Sequence, residues 1–305
     1  GDELSIEDLK NFRQLGSKTP GHPEFDIDIG VETTTGPLGQ GIGNAVGMAL
    51  AEKMLASRFN KENGLKPIDH FTYTFLGDGC LMEGVSHEAC SFAGTHGLGK
   101  LICFYDQNGI SIDGEITNWF TDNTLQRFES YRWQVLEVDG HNVEETLDAI
   151  LTAQKETERP TLICCKTIIG YGSPNKSGTS GVHGAALGED EVKKTREELG
   201  WEHEPFHIPD DIKSEWDCKV EGAKLNALWD KLMIEYSKKH PKSFDELIRV
   251  INNELPINFE NAYKDFINEL SAGDQKDLAT RKASELCLNY FCEKLPELIG
   301  GSADL

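Results

Sequence analysis

Two apolar, β-prone segments of this chain each end in a short run of glycine with one polar side chain. Residues 71–76 lead into Gly77-Asp78-Gly79-Cys80-Leu81-Met82-Glu83-Gly84. Residues 101–105 lead into Gln107-Asn108-Gly109-Ile110-Ser111-Ile112-Asp113-Gly114. Asp78 and Asn108 lie thirty positions apart. A carboxylate and a carboxamide, each flanked by glycine, thus stand at the ends of two successive strands. Such a pair can cage a hard divalent cation that holds a diphosphate.

The surrounding pattern sets the fold class. Residues 82–93 read as a helix with Val85, Ala89 and Phe92 on one face, and residues 100–105 as a strand. Residues 121–128 form a short helix capped by Thr121 or Asp122. Residues 133–138 are a strand, 143–154 an amphipathic helix, and 160–166 a continuously apolar strand, as expected when both faces are covered. Repeated strand–helix units predict an α/β fold, a parallel sheet flanked by helices. In such sheets ligands bind beyond the carboxyl ends of the strands, where both glycine runs lie. Upstream, Gly36-Pro37-Leu38-Gly39-Gln40-Gly41 feeds a long helix whose buried stripe is Ile42, Val46, Ala49, Leu50 and Leu55. A glycine turn at a helix start allows close backbone approach to a ligand.

Residues 169–187 are a Gly- and Ser-rich loop, long enough to be functional or disordered. From about Glu189 the chain turns helical and charged. Lys238-Lys239-His240-Pro241 and the Pro256 neighbourhood mark a connector. Ala279-Thr280-Arg281-Lys282-Ala283-Ser284 opens a helix that ends near Pro296 and begins a second α/β domain. The expected division is residues 1–240, a helical connector at 241–276, and the start of another domain at 277–305. The chain reads as a piece of a longer polypeptide, because it opens on Gly1 and stops at Gly300-Gly301-Ser302-Ala303-Asp304-Leu305.

Composition narrows the partners. A formal charge of −22 argues against nucleic acid and anionic membrane, which need a basic footprint. It also requires a locally positive pocket for any phosphorylated ligand. No apolar run approaches the ~18–20 residues of a membrane span. The eight cysteines lack a framework spacing and read as reduced, buried thiols in a reducing, cytoplasmic setting.

Gly-Asp-Gly alone is an ordinary turn. The second run, the strand context and the spacing together favour a cation site, with Asp78, Asn108 and the Ile110 carbonyl as oxygen donors. Here the chain resembles the thiamine-diphosphate enzymes and, more closely, the transketolases. The resemblance runs in order through Lys18-Thr19-Pro20-Gly21-His22-Pro23-Glu24, Gly30-Val31-Glu32-Thr33-Thr34-Thr35 with the Gly36–Gly41 turn, both glycine runs, Lys166-Thr167-Ile168-Ile169-Gly170-Tyr171-Gly172-Ser173, His183-Gly184-Ala185, and Arg281-Lys282-Ala283-Ser284. Each run alone is weak; the ordered set is specific.

The resemblance implies a thiamine-diphosphate-binding fold, with a diphosphate-binding domain followed by the start of a pyrimidine-binding domain. It implies reversible transfer of a two-carbon ketol group from a ketose phosphate to an aldose phosphate, in the pentose phosphate pathway. Asp78, Asn108 and Ile110 would hold Mg²⁺, with Ca²⁺ or another divalent cation able to substitute. Gly36, Pro37, Leu38, Gly79 and Asn108 would contact the cofactor, and Ile112 and Ile169 would wall its thiazolium ring. His183 would touch the diphosphate or the reacting oxygen. His22 would bind sugar hydroxyls, and both histidines would be catalytic. Arg281 would clamp the substrate phosphate. Glu83 and Glu88 would lie at the interface of a homodimer whose active site forms between subunits. Lone histidines are more often plain surface residues; these two sit in Gly/Pro-rich loops, which favours function.

The chain departs from the family at three places. Gln107 stands where Asp or Asn is usual. Thr179-Ser180-Gly181-Val182 lacks a second histidine before His183, and Ala186 replaces a proline. The family's two N-terminal histidines and its activating glutamate fall outside these residues, so the isolated chain is expected to be inactive. A deoxyxylulose phosphate synthase, a 2-oxoacid dehydrogenase subunit and a non-catalytic fragment are the alternatives. The Gly36–Gly41 and Arg281–Ser284 runs weigh against the first two.

Overall fold

In the computed structural model the described residues are 4–273 and 278–301. The expected domain start at 277 and the terminal Ser302–Leu305 run lie outside them. The described chain forms two units: Gly1–Asn60 with Ile68–Gly222, and Lys61–Pro67 with Ala223–Leu305.

The first unit opens with a short helix, α1 (Ile6–Lys10), closed by a capping box between Ser5 and Asp8. The long helix α2 (Gln40–Phe59) follows the glycine turn. Then come β1 (Thr72–Gly77), α3 (Asp78–Met82), α4 (Gly84–Thr95), β2 (Leu101–Gln107), a hairpin of β3 (Ile110–Ser111) and β4 (Gly114–Glu115), and α5 (Thr124–Ser130). Next are β5 (Gln134–Asp139), α6 (Val143–Ala153), β6 (Thr161–Lys166), α7 (Glu189–Glu198) and α8 (Asp210–Trp216). The main sheet is parallel, in the order β1-β2-β6-β5.

The central strands explain their own sequences. β2 and β6 are buried on both faces, hence their unbroken apolar runs. On one face Leu101, Cys103, Tyr105, Leu162 and Cys164 pack with Ile42, Val46 and Ala49 of α2 and with Cys90 and Ala93 of α4. On the other, Ile102, Phe104 and Ile163 pack with Val138 and with Ala149 and Ala153 of α6. Helices therefore cover both sides of the sheet. The ladders stop level: Gly77 pairs with Asp106, Asp106 with Cys165, and Asp139 with Lys166. Level ends bring the Asp78 and Asn108 runs to one edge of the sheet.

Several local expectations are corrected. Residues 82–93 do not form one helix. The backbone is extended at Glu83 (φ −73°, ψ 135°), which divides α3 from α4. The break leaves the last carbonyls of α3 without helical partners. Ser86 Oγ donates to the Cys80 carbonyl and Arg127 Nη2 to that of Leu81. α4 buries Ser86, Cys90, Ala93 and Gly94, while Val85 and Phe92 are exposed. The helix expected at 121–128 starts at Thr124, and its cap is Asn123, whose Oδ1 accepts from the Gln126 amide at 3.0 Å. On α2 the buried stripe includes Glu52, which Lys100 neutralises at 2.6 Å; Leu50 and Leu55 are only partly buried. The eight cysteines are free, but Cys218, Cys287 and Cys292 are exposed. Burial pushes the Cys90 and Cys164 thiols up to about 12, so they act as inert packing groups.

In the second unit, α9 (Lys219–Lys239, from residue 223), α10 (Pro241–Ile251), α11 (Phe259–Ala272) and α12 (Thr280–Phe291) are the described elements. Pro241 starts α10 at a position with no amide hydrogen bond to lose. Phe266, Tyr290 and Phe291 form an aromatic cluster between α11 and α12. α12 ends at Phe291, short of the expected Pro296. No helix among the described residues is long and apolar enough to cross a membrane.

The tightest backbone contact in the first unit is at Gly94 on α4. A Cβ there would stand 1.7 Å from the Tyr131 carbonyl oxygen and 3.2 Å from the Trp133 ring. Gly94→Ala is expected to cost about 3 kcal/mol by forced overpacking. Urea unfolding followed by circular dichroism measures it, and an unchanged midpoint would contradict the close approach.

Candidate functional site

Asp78 is the first residue of α3, directly after β1, and only 3% exposed. The Tyr105 hydroxyl donates to its Oδ1, and the Gly109 amide donates to Oδ2 at 2.9 Å. Tyr105 lies on β2 opposite Leu76. Thr124, buried at the start of α5, lies beside the same phenol. Burial, reinforced by the Asp78 carboxylate, pushes the phenol far up and keeps it a donor. No Lys, Arg or His among the described residues pairs with Asp78. A buried carboxylate held only by neutral donors favours a cation close by.

Asn108 makes a tight turn, with its Oδ1 accepting from the Ile110 amide at 3.0 Å. Its Nδ2 faces Asp106 Oδ2 at 3.4 Å. Gly109 has φ +72°, with open space where a Cβ would be. Its glycine is required by backbone conformation, which turns the Gly109 amide onto Asp78. Ile110 is buried and pairs with Glu115 across the hairpin, whose tip leaves Ile112 70% exposed. Beside Asn108, Gln107 Oε1 is buried and has no hydrogen-bond partner among the described residues.

The glycine turn before α2 reaches the same place. A Cβ at Gly79 would meet Leu38 Cδ1 at 3.1 Å, and one at Gly39 would meet Glu83 Cβ at 2.8 Å. A Cβ at Gly36 would meet the His22 ring at 3.2 Å. So Leu38 and Gly39 lie against the Gly77–Gly84 run, and His22 lies against Gly36. They line a cleft of about 480 Å³ with Pro37 and Cys80. Glu83 and Glu88 are both exposed. Glu83 stands at the α3–α4 break rather than within a helix.

The remaining candidates lie elsewhere. Ile169 is half-buried, and its neighbour Ile168 donates its amide to His141 Nε2 at 3.0 Å. The His141 ring stacks on Tyr171 at 4.2 Å. His183 is exposed and follows a single helical turn, Ser180–Val182. No hydrogen bond or ion pair among the described residues joins Ile169 or His183 to the Asp78–Asn108 group. Arg281 is exposed in the first turn of α12, in the second unit. Tyr105, Thr124, His141 and Glu191 were not anticipated. Tyr105 reads as an ordinary strand aromatic, and Thr124 as a helix-start residue. Nothing in either signal points to the Asp78 carboxylate, 27 positions before Tyr105 in the chain.

Known proteins resemble this chain along its whole length. A family model described as transketolase, thiamine diphosphate binding domain, matches residues 1–256. Transketolase 1 of Vibrio cholerae is 59% identical over 306 aligned residues, covering 100% of this chain and 46% of that protein. Transketolase 2 of Escherichia coli K12 is 55% identical with the same coverage. A solved transketolase from Pichia stipitis, complexed with sedoheptulose-7-phosphate, superposes with a TM-score of 0.89 at 42% identity. It covers 100% of this chain and 44% of that one. The transketolase of Leishmania mexicana gives 0.88 at 40% identity, covering 99% and 44%. The chain spans about half the length of the curated relatives it matches. With the family model running through the whole sheet and both glycine runs, the chain belongs to the transketolase family.

Proposed function

We propose that this chain is the diphosphate-binding part of a transketolase that moves a two-carbon ketol group between a ketose phosphate and an aldose phosphate. The buried Asp78 carboxylate, gripped by Tyr105 and Gly109 without a basic partner, is the observation that carries this reading. Its donors suit a hard cation. Asp78 offers a charged oxygen, Asn108 and the Ile110 carbonyl neutral ones, and diphosphate oxygens would complete an Mg²⁺ or Ca²⁺ shell. Among the described residues no group of three or more His, Cys, Asp or Glu could hold a metal. This donor set therefore depends on the ligand's own oxygens.

The other residues divide the work. Gly36, Pro37, Leu38 and Gly79 present backbone and two apolar side chains to the cofactor. Ile112 and Ile169 supply apolar walls. Bound thiamine diphosphate would supply the nucleophilic carbon that ketol transfer needs. His183 and His22 hold hydroxyls and move protons at the substrate oxygens. Arg281 clamps the substrate phosphate and supplies positive charge on an acidic body. Glu83 and Glu88 face a second subunit in a homodimer. We assign residues 1–240 to the diphosphate-binding domain, 241–276 to a connector and 277–305 to the start of the pyrimidine-binding domain. The setting proposed is cytoplasmic.

Titration calorimetry of this chain with thiamine diphosphate and Mg²⁺ tests the cation site. Asp78→Ala is expected to abolish Mg²⁺-dependent binding, and unchanged affinity would refute the assignment. Tyr105→Phe keeps the ligand but removes the donor that orients it; about tenfold weaker cation-dependent binding is expected. In the whole enzyme, Arg281→Ala should raise KM for phosphorylated sugars. An equal rise for unphosphorylated sugars would remove the phosphate role.

A further inference from the structure

The 169–187 segment has no strand and only one short helical turn, yet it is closely tied. Its ties converge on one side chain of α7. Glu191 is 7% exposed, and its carboxylate accepts three hydrogen bonds from the segment. The Ser173 hydroxyl and the Asn175 amide reach Oε1 at 2.5 and 2.8 Å, and Asn175 Nδ2 reaches Oε2 at 2.8 Å. These donors, led by the Asn175 side chain, hold the Glu191 carboxyl down at about 2. Glu191 also lies in the first turn of α7, where the helix dipole favours a negative charge.

From this knot the order spreads in both directions. Ser173 Oγ accepts the Lys176 amide at 3.3 Å, and Gly178 donates its amide to the Ile169 carbonyl at 2.8 Å. Lys176 Nζ donates to the Leu187 carbonyl at 2.7 Å, closing the base of the loop that bears His183. A second attachment is apolar. Gly172, at φ +83°, lies so close to Leu199 that a Cβ would stand 2.7 Å from its Cδ2. Val182 likewise covers Gly170, where a Cβ would stand 2.9 Å from Val182 Cγ2. Ile169 and His183 are thus held within a segment anchored on α7, although Glu191 itself bonds to neither of them.

We propose that Glu191 is a positioning residue: its carboxylate locks the 169–187 segment, and with it Ile169 and His183, into one conformation before any ligand binds. The consequence for the cofactor rests on the function proposed above. The knot itself does not. A carboxylate suits the task because it accepts every bond the loop offers; an amide in its place would turn a donor toward another donor.

Hydrogen exchange by mass spectrometry on the ligand-free chain tests the lock. Glu191→Gln and the milder Asn175→Ala should each speed exchange in peptides spanning 169–183, the first by at least about tenfold, while peptides of β2 and β6 keep their protection. Unchanged exchange in 169–183 would overturn the proposal. So would acceleration spread equally through β2 and β6, which marks a purely structural role. Calorimetry with thiamine diphosphate and Mg²⁺ should show about tenfold weaker binding for Glu191→Gln. Wild-type chain that binds neither would overturn the cofactor reading instead, and the exchange data would still decide Glu191.

Discussion

A carboxylate removed from water at the carboxyl end of β1 is the constraint around which the first unit is organised. Asp78 cannot sit there on neutral donors alone without each of them being well placed. That requirement reaches into three elements. β2 must pair with β1 in the register that sets Tyr105 opposite Leu76. α5 must start where Thr124 meets the phenol. The turn after β2 must adopt a positive φ at Gly109 so that its amide faces the carboxylate. A slip of one residue along β2 would send Tyr105 to the opposite face of the sheet and undo the arrangement.

Close backbone approach is the second theme. Gly39 and Gly79 are small because Glu83, Val85 and Leu38 occupy the space a side chain would need. These contacts press the turn before α2 onto the Asp78 run. Elsewhere Gly94 admits the Tyr131 carbonyl, and Gly140 admits Thr167. Glycine here does two separate jobs. At Gly109 it serves conformation, and at Gly79 it serves space. The acidic surface is compatible with this architecture, because the buried contacts that define the site are hydrogen bonds from neutral donors and apolar packing.

Much of this was legible in the chain. The central strands around 101–107 and 161–166 announce themselves as unbroken apolar runs, because both of their faces are buried, while the outer strands around 72–77 and 134–139 are partly exposed. The Gly-Asp-Gly and Asn-Gly punctuation locates the strand ends, and the ordered motifs point to the family. The failures are equally physical. The extended residue at Glu83 depends on Ser86 and Arg127 reaching the freed carbonyls, and helical periodicity carries no trace of that. Phe92 reads as core by its spacing, yet the face of α4 that is buried is the one whose small residues admit the Tyr131 carbonyl and the Trp133 ring. Asn123 won the cap of α5 over Thr121 and Asp122, since its side chain reaches the Gln126 amide.

What the sequence determined by itself was local chemistry and its order: which segments alternate, where glycine permits a sharp turn, and which oxygen donors end the strands. These depend on neighbours in the chain. Only the tertiary structure decided that Tyr105 and Gly109 share one carboxylate, that His22 lies against Gly36, and that Glu191 holds the 169–187 segment. Each joins residues whose pairing follows from strand register and helix placement. Distances of that kind are set by packing across the whole sheet, and no short stretch of sequence contains them.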